Sequence, residues 1–344
     1  IPSGVTLAPG GDLTLTGALT VDGASATIKL DGNYPTGTNN VALGNQALDS
    51  GSLSGGYNVA IGKDALTNNT SGTQNVALGS SSLSSNTTGV GNTALGDDTL
   101  VDNVSGGQNI AVGINSLRRN TVSCNTSVGY NSLCNNTTGA TNTAVGAVSL
   151  RNNTTASNNV AVGFCSLYAN TTGACNIAIG TCAMDSTTTS NSSIAIGFQA
   201  LQATNTNGSN LAIGRRALCL TTSGKCNIAI GDASLMCNTE GVINTVVGYE
   251  AMELNTTGGA NAAYGFRSME DNTTGCKNNA FGAEALNSNI SGDFNTAVGH
   301  NALTLNTTAD KNTAVGYNSL LNNTTGAHNV AVGARAGDAN TTGT

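Results

Sequence analysis

The sequence predicts an all-β fold, a β-solenoid of about eighteen seventeen-residue coils stacked into a rod. Three observations lead to this prediction: a period of seventeen residues from Asn40 to the end of the chain, a short alternating segment in each period, and a turn-forming segment in each period. A short fixed period is typical of solenoids, because one such unit buries its apolar residues only by stacking on its neighbours.

The repeat is aligned on an Asn-x-Ala-Val-Gly segment, whose first residue is taken as position 1 of each unit. Position 1 recurs every seventeen residues, except for one spacing of 18 and one of 16. Position 5 is glycine in every unit, position 4 is aliphatic in all but two units, and position 9 is Leu or Met in seventeen units. The eighteen units begin at Asn40, Asn58, Asn75, Asn92, Asn109, Asn125, Asn142, Asn159, Asn176, Ser193, Asn210, Asn227, Asn244, Asn261, Asn278, Asn295, Asn312 and Asn329.

Each segment of the unit predicts a local structure. Positions 2 to 4 alternate and carry β-branched residues, which predicts a strand, and the glycine ends it where a positive φ or a close backbone approach is needed. Positions 7 to 9, x-Ala/Ser-Leu, predict a second, shorter strand. Asn-Thr-Thr-Gly at positions 12 to 15 predicts a turn, because Asn bonds to its own backbone and Gly accepts left-handed geometry. These glycine and turn segments exclude a helix.

Stacking places equivalent residues of successive coils one strand spacing apart, which predicts a rod about 85 Å long. The repeated position 1 asparagines are expected to form an amide ladder along it. The small position 3 residues are expected to fill the narrow interior, and the aliphatic position 4 residues point to the opposite face. One thin chain buries too little apolar surface to offset its ordering entropy, so we predict a homo-oligomer, most simply a homotrimer.

Composition narrows the functional classes. Charged residues are 9% of the chain, against about 25% in ordinary globular proteins. The net charge of -7 disfavours nucleic acid as a partner, and the pairs Arg118–Arg119 and Arg215–Arg216 are expected to be solvated surface. No apolar stretch approaches the roughly 20 residues that cross a bilayer, so no membrane insertion is expected. Nucleotide-binding loops and acid–histidine constellations are absent from the sequence, which predicts a protein without catalytic activity, metal or cofactor.

Two sets of residues stand out as candidate sites. Position 6 is frequently aromatic or His, and such a column either stacks on sugar rings or covers a seam between chains, with the seam favoured. Cys165 and Cys182 share position 7 in successive coils, which places their Cα atoms about 4.8 Å apart, within disulfide range. The favoured interpretation is nevertheless that the nine cysteines are free, packed thiols, and the bridge between Cys165 and Cys182 is the alternative. The position 6 residues are Tyr130, Phe164, Phe198, Tyr249, Phe266, His300 and Tyr317.

The segment before the repeats has a different pattern. Residues 11–23 alternate apolar and polar in two short runs separated by Gly17, which is typical of a β-hairpin or the start of a β-roll. We therefore divide the chain into an N-terminal β lead-in or cap, residues 1–39, and a solenoid rod, residues 40–344.

Several blocks resemble the repeats of known fibrous proteins. Residues 312–326, Asn-Thr-Ala-Val-Gly-Tyr-Asn-Ser-Leu-Leu-Asn-Asn-Thr-Thr-Gly, resemble the repeats of phage and large-virus tail-fibre proteins. Residues 13–23 resemble the lead-in that such fibres carry. The shorter Ala-Ile-Gly coils are similar to the head repeats of trimeric autotransporter adhesins, and this resemblance implies a left-handed parallel β-roll that assembles as a homotrimer.

The resemblance also implies a function. The chain is expected to be a structural tail-fibre shaft that presents a host-receptor-binding surface, located in a virion tail fibre or on an extracellular surface. Its expected partners are other copies of itself and a host cell-surface glycan or protein. A bacterial cell-surface adhesin or a self-assembling extracellular filament is the alternative.

Overall fold

The computed structural model describes residues 38–203 and 208–343. These residues form one parallel sheet of eighteen strands, and no helix occurs among them. The predicted lead-in, residues 1–39, lies almost wholly outside this part of the chain. The strands are β1 (Val41–Leu43), β2 (Val59–Ile61), β3 (Val76–Leu78), β4 (Thr93–Leu95), β5 (Ile110–Val112), β6 (Thr126–Val128), β7 (Thr143–Val145), β8 (Val160–Val162), β9 (Ile177–Ile179), β10 (Ile194–Ile196), β11 (Leu211–Ile213), β12 (Ile228–Ile230), β13 (Thr245–Val247), β14 (Ala262–Tyr264), β15 (Asn279–Phe281), β16 (Thr296–Val298), β17 (Thr313–Val315) and β18 (Val330–Val332).

Each strand pairs with the next strand in the chain, and equivalent repeat positions face one another. In β2 and β3, for example, Ala60 is paired with Ala77. The predicted all-β solenoid is confirmed, with seventeen full turns from the first strand to the last against the eighteen units counted in the sequence. At one strand spacing per turn, the sheet is about 80 Å long.

The interior of the solenoid is filled by small and medium-sized apolar side chains. The position 3 residue is fully buried in nearly every coil, as Ala60 and Ala77 show, which confirms the predicted interior set. The Leu or Met at position 9 is buried beside it, as at Leu66 and Met184. Positions 3 and 9 therefore form one continuous core along the rod, and position 8 adds to it a buried alanine in some coils and a buried serine or threonine in others.

The predicted second strand at positions 7 to 9 is wrong, because this segment is a turn. Asp64 and Leu66 have φ values of 58° and 51°, in the left-handed region. A strand would turn neighbouring side chains to opposite faces, whereas Ala65 and Leu66 are both fully buried. The left-handed backbone at position 9 points the leucine inward and still lets its N–H donate along the rod, from Leu66 to the carbonyl of Ser82 at 3.0 Å.

Glycine is required at positions 5 and 15 of the repeat for different physical reasons. At position 5, Gly62 has a φ of +132°, and a Cβ there would lie 2.5 Å from the carbonyl oxygen of Gly79 in the next coil, so both predicted reasons hold. At position 15, Gly258 is not left-handed, which corrects the prediction for the Asn-Thr-Thr-Gly turn. A Cβ at Gly258 would lie 2.5 Å from Asn255 Oδ1 and 2.5 Å from the Gly275 carbonyl oxygen. Space between coils, not backbone conformation, requires this glycine.

The predicted ladder of position 1 asparagines is present. The buried Asn92 donates its backbone N–H to Asn75 Oδ1 at 2.9 Å and its Nδ2 to the carbonyl of Gly106 at 2.9 Å. Its own Oδ1 accepts the N–H of Asn109 at 3.0 Å. Each asparagine thus joins two coils and closes its own coil, so the ladder satisfies buried backbone groups that have no partner in the sheet.

A second ladder, formed by the asparagines at position 12, was not predicted. Asn272 donates Nδ2 both to Asn255 Oδ1 in the preceding coil at 2.7 Å and to the Gly275 carbonyl in its own coil at 3.1 Å. The second bond is the turn interaction that the sequence suggests, whereas the first depends on the neighbouring coil. The two ladders meet at the position 15 carbonyl, which accepts from both asparagines of its coil.

The second ladder is interrupted near the middle of the rod. Position 12 is threonine in three successive coils, at Thr187, Thr204 and Thr221, instead of asparagine. Thr187 Oγ1 and Asn170 Oδ1 are both buried and have no hydrogen-bond partner. An amide donor is therefore missing at this step of the ladder.

Restoring the donor is expected to stabilise the protein. In Thr187→Asn, Nδ2 would donate to Asn170 Oδ1 as it does in other coils, and the free energy of unfolding is expected to rise by about 1 kcal/mol. Chemical denaturation followed by circular dichroism measures this change. Thr172→Asn, at an exposed position 14 in the preceding coil, is the control and is expected to have little effect. Equal stabilities of Thr187→Asn and the unmodified chain would contradict the ladder argument.

Candidate interaction surface

The outward face of the sheet is an uncharged and mainly apolar strip, in which position 2 is threonine or asparagine in seven of the eighteen strands. Positions 2 and 4 flank the buried position 3 and point away from the interior, and none of the eighteen strands has a charged residue at either position. Large side chains on this face are exposed, with Leu78 at 45%, Ile110 at 44% and Ile179 at 38%. A continuous exposed apolar surface of this kind marks an interaction site in soluble proteins.

The strip is large enough to hold a partner. Its length is about 80 Å and its width, set by side chains two residues apart on a strand, is about 10 Å. The resulting area of roughly 800 Å² equals what one partner contributes to a stable protein–protein interface. The charged residues of the rod lie at other repeat positions, so no ionic group has to be desolvated when the strip is covered.

The position 6 column predicted from the sequence is exposed along one side of the strip, just beyond the position 5 glycine. The structure brings some members together: the rings of Tyr249 and Phe266 stack at 5.7 Å, and those of His300 and Tyr317 lie 5.8 Å apart and tilted. The other predicted members occur in every second coil and do not stack on one another. The exposed fractions are 55% for Tyr130, 54% for Phe164, 47% for Phe198, 44% for Tyr249, 45% for Phe266 and 51% for Tyr317.

Sequence reasoning missed one aromatic pair on the strip itself. Tyr264 and Phe281 occupy position 4 in successive coils, and their rings stack at 4.9 Å and within 7° of parallel. The sequence does distinguish these two residues, because they occupy the only two units in which position 4 is not aliphatic. With Tyr249 and Phe266 they concentrate aromatic surface in coils 13 to 15.

A group of carboxylates lies next to these aromatic residues. Oxygens of Glu250, Glu253 and Glu270 are within 4.8 Å of one another. Arg267 Nε lies 2.8 Å from Glu250 Oε2 and 3.7 Å from Glu270 Oε2, so the guanidinium supplies positive charge inside the group. Burial raises the pKa of Glu253, and the neighbouring carboxylates of Glu250 and Glu270 raise it further. The Arg267 guanidinium thus offsets part of the negative charge of this group.

The nine cysteines are free thiols in the structure. Cys165 and Cys182 are neighbours in successive coils, as their shared position 7 predicts, and each thiol affects the pKa of the other. Burial raises the pKa of both thiols, with a further contribution from Asp185, which keeps them protonated at neutral pH. A disulfide between them stays a prediction.

Comparison of the chain with protein-family models, with curated proteins and with solved structures gave no match in any of the three. No helix among residues 38–203 and 208–343 has the length and hydrophobicity to cross a bilayer. The surfaces of the solenoid itself are therefore the basis for proposing a function.

Proposed function

We propose that this chain is a non-enzymatic structural fibre protein, the shaft of a phage or virus tail fibre that presents a receptor-binding surface to a host cell. The observation that carries the proposal is the uncharged apolar strip that runs the whole length of the sheet. A strip of this length suits side-by-side association of rods, because it has no charged residue at any point along the axis.

The proposed assembly is a homotrimer of left-handed β-rolls around a shared axis. Each coil presents two outward columns, positions 2 and 4, so one chain can pack against two neighbours at once, with about 400 Å² of its strip covered by each. Rotation about an axis parallel to the rod keeps the coils of all copies in register, and closed cyclic symmetry leaves no strip exposed. Burial of the three strips adds the apolar contact that a single thin solenoid lacks.

The bonding between coils also suits a shaft. Successive coils are joined by parallel strand pairing, by the position 1 ladder and by the position 12 ladder, so cohesion is directed along the axis. The residues left facing solvent are mostly amides, hydroxyls and the position 6 aromatic side chains. These groups suit recognition of a host glycan or protein, and the proposed location is a virion tail fibre or an extracellular surface.

Coils 9 to 12 favour a second candidate function. Residues 176–231 repeat Ile/Leu-Ala-Ile-Gly in four successive coils, the segment that is similar to autotransporter adhesin heads. A bacterial cell-surface adhesin or an extracellular filament would use the same strip and the same trimer. Electron microscopy of the native particle distinguishes the two, because it shows whether the rods are attached to a virion or to a cell surface.

Light scattering of the purified chain in native buffer tests the proposed assembly. The expected mass is about three times the 34.0 kDa of one chain. A mass of one or two chains would contradict the trimer.

Charges introduced on the strip are expected to break the trimer. In Ile179→Asp/Ile228→Asp, each substituted position brings three carboxylates together around the axis, and like charges held close in a desolvated interface repel strongly. We expect a monomer by light scattering. The matched control is Leu254→Asp/Leu305→Asp at position 11, whose leucines are 43% and 41% exposed against 38% and 37% for the two isoleucines. The control is expected to remain trimeric, and dissociation of both variants would show that the strip is not the interface.

A further inference from the structure

Charge is distributed unevenly along this acidic rod. The chain carries a net charge of -7, yet no Asp or Glu occurs between Asp102 and Asp185. That stretch contains three basic residues, Arg118, Arg119 and Arg151. Coils 5 to 8 therefore form a positive band that is bounded by carboxylates on both sides.

The three arginines lie around one point on the rod. Arg118 and Arg151 share position 10 in coils 5 and 7, which places them about 9.6 Å apart along the axis, and Arg119 follows Arg118 at position 11. Cys134 occupies position 10 in the coil between them. Burial raises the pKa of its thiol, whereas Arg151, Arg118 and Arg119 each lower it, as positive charges at positions 10 and 11 of the same and adjacent coils do.

None of these guanidinium groups is neutralised by the protein. The ion pairs within residues 38–203 and 208–343 involve Lys63, Arg215 and Arg267 only. Arg118 and Arg119 are exposed. Three uncompensated positive charges on an acidic protein raise the local potential and favour an anionic ligand.

Arg151 is held in place for such a ligand. Its Nη1 donates to Tyr168 Oη at 3.2 Å, and its guanidinium carbon lies 6.0 Å from the centre of the Tyr168 ring. Its Nε is shielded from solvent and has no hydrogen-bond partner. Because solvent does not reach Nε, an anion would bind at the outer nitrogens, and a guanidinium already oriented by a ring binds a carboxylate or sulfate there with little loss of side-chain entropy.

We infer that coils 5 to 8 carry a binding site for an anionic polysaccharide, in which Arg118, Arg119 and Arg151 bind acidic groups on alternate sugars. The two-coil spacing of Arg118 and Arg151 is close to the length of a disaccharide in an extended glycan. Asn135 and Asn152, on the position 11 column beside Arg119, offer amides for sugar hydroxyls.

The carboxylates on both sides of the positive band favour a polymer with few negative charges per unit length. Duplex DNA carries a charge every 1.7 Å or so, and such a polymer extending beyond the band would meet Asp97, Asp98 and Asp102 at one end and Asp185 at the other. A glycan with one carboxylate per disaccharide places few charges against these residues. Hyaluronan oligosaccharides have this charge density, and they are the probe for the test.

The inference rests on the proposed function in that it gives a ligand class to the receptor-binding surface of the fibre. Binding of hyaluronan oligosaccharides to the full chain is measured by calorimetry at low and at physiological salt, with the mass of the same sample taken by light scattering. We expect binding that weakens as salt increases. Arg118→Gln/Arg119→Gln and, separately, Arg151→Gln are expected to weaken it by about tenfold or more.

Arg215→Gln/Arg216→Gln is the matched control, because it removes an adjacent arginine pair of the same charge from coil 11, where Asp232 already pairs with Arg215. This variant is expected to bind as the unmodified chain does, and neutral chitin oligosaccharides are expected not to bind. Absence of hyaluronan binding, an equal loss in the control, or tighter binding of duplex DNA would overturn the inference. A trimer that does not bind hyaluronan refutes the site alone, and a monomer that binds refutes the proposed assembly alone.

Discussion

Replacing Gly146 by alanine is expected to lower the free energy of unfolding by about 3 to 5 kcal/mol. Gly146 is a position 5 glycine with a φ of +132°, a conformation that L-residues rarely adopt. A Cβ at this residue would also lie 2.5 Å from the carbonyl oxygen of Gly163 in the next coil. Rotating a side chain relieves neither the strained φ nor the contact with the Gly163 carbonyl, because both involve backbone atoms.

Guanidinium denaturation followed by far-ultraviolet circular dichroism measures the effect at a fixed chain concentration. Gly91→Ala is the matched control. Gly91 also has a positive φ, +71°, but the nearest atom to a Cβ there is 3.9 Å away, and Ala260 occupies the equivalent position 17 in another coil. We expect Gly91→Ala to cost no more than about 1 kcal/mol. Similar losses for the two variants would mean that coil-to-coil contact does not explain the position 5 glycine.

The second large effect is expected for Asn159→Ala, at about 2 to 4 kcal/mol. Asn159 is fully buried, its Oδ1 accepts the N–H of Asn176 at 2.9 Å, and its Nδ2 donates to the Gly173 carbonyl at 2.9 Å. Alanine removes both bonds, leaves the Asn176 N–H buried without an acceptor, and creates a cavity. The Gly173 carbonyl keeps a donor, Nδ2 of Asn170, so the unsatisfied N–H and the cavity account for most of the loss.

Asn152→Ala is the control for this variant. Asn152 is partly exposed, and its side chain accepts one hydrogen bond, from Asn135 Nδ2 at 3.1 Å. Water replaces that bond when the side chain is removed, so we expect a loss below about 1 kcal/mol by the same denaturation measurement. If Asn152→Ala were as destabilising as Asn159→Ala, the buried ladder would have no special role in stability.

Both substitutions, Gly146→Ala and Asn159→Ala, are expected to destabilise the rod locally. Each coil contacts only the coils before and after it, so stability is approximately a sum of coil and nearest-neighbour terms. A defect between two coils therefore weakens one junction, and the segments on either side retain their own contacts. The natural interruption of the position 12 ladder at Thr187 makes coils 8 and 9 the expected place where unfolding begins, which hydrogen exchange would reveal as low protection there.

The features that the repeat predicted correctly are those that depend on stacking alone. A constant period of seventeen residues places equivalent residues over one another, and from this follow the parallel register, the ladder at position 1 and the buried alanines at position 3. The position 6 column was located for the same reason. The Tyr264–Phe281 pair was missed because its two members look like isolated exceptions when single units are compared.

The repeat pattern is thus sufficient to predict the fold class, the direction of stacking and the residues that face the interior of the strand segment. Only the tertiary structure decided that positions 7 to 9 form a left-handed turn, that the position 12 asparagines build a second ladder, and that the position 15 glycine is required for space. It also brought Arg118, Arg119 and Arg151 around one thiol. The physical reason is that each of these features depends on the distance between backbones or side chains of adjacent coils, and the pattern within one repeat does not contain that distance.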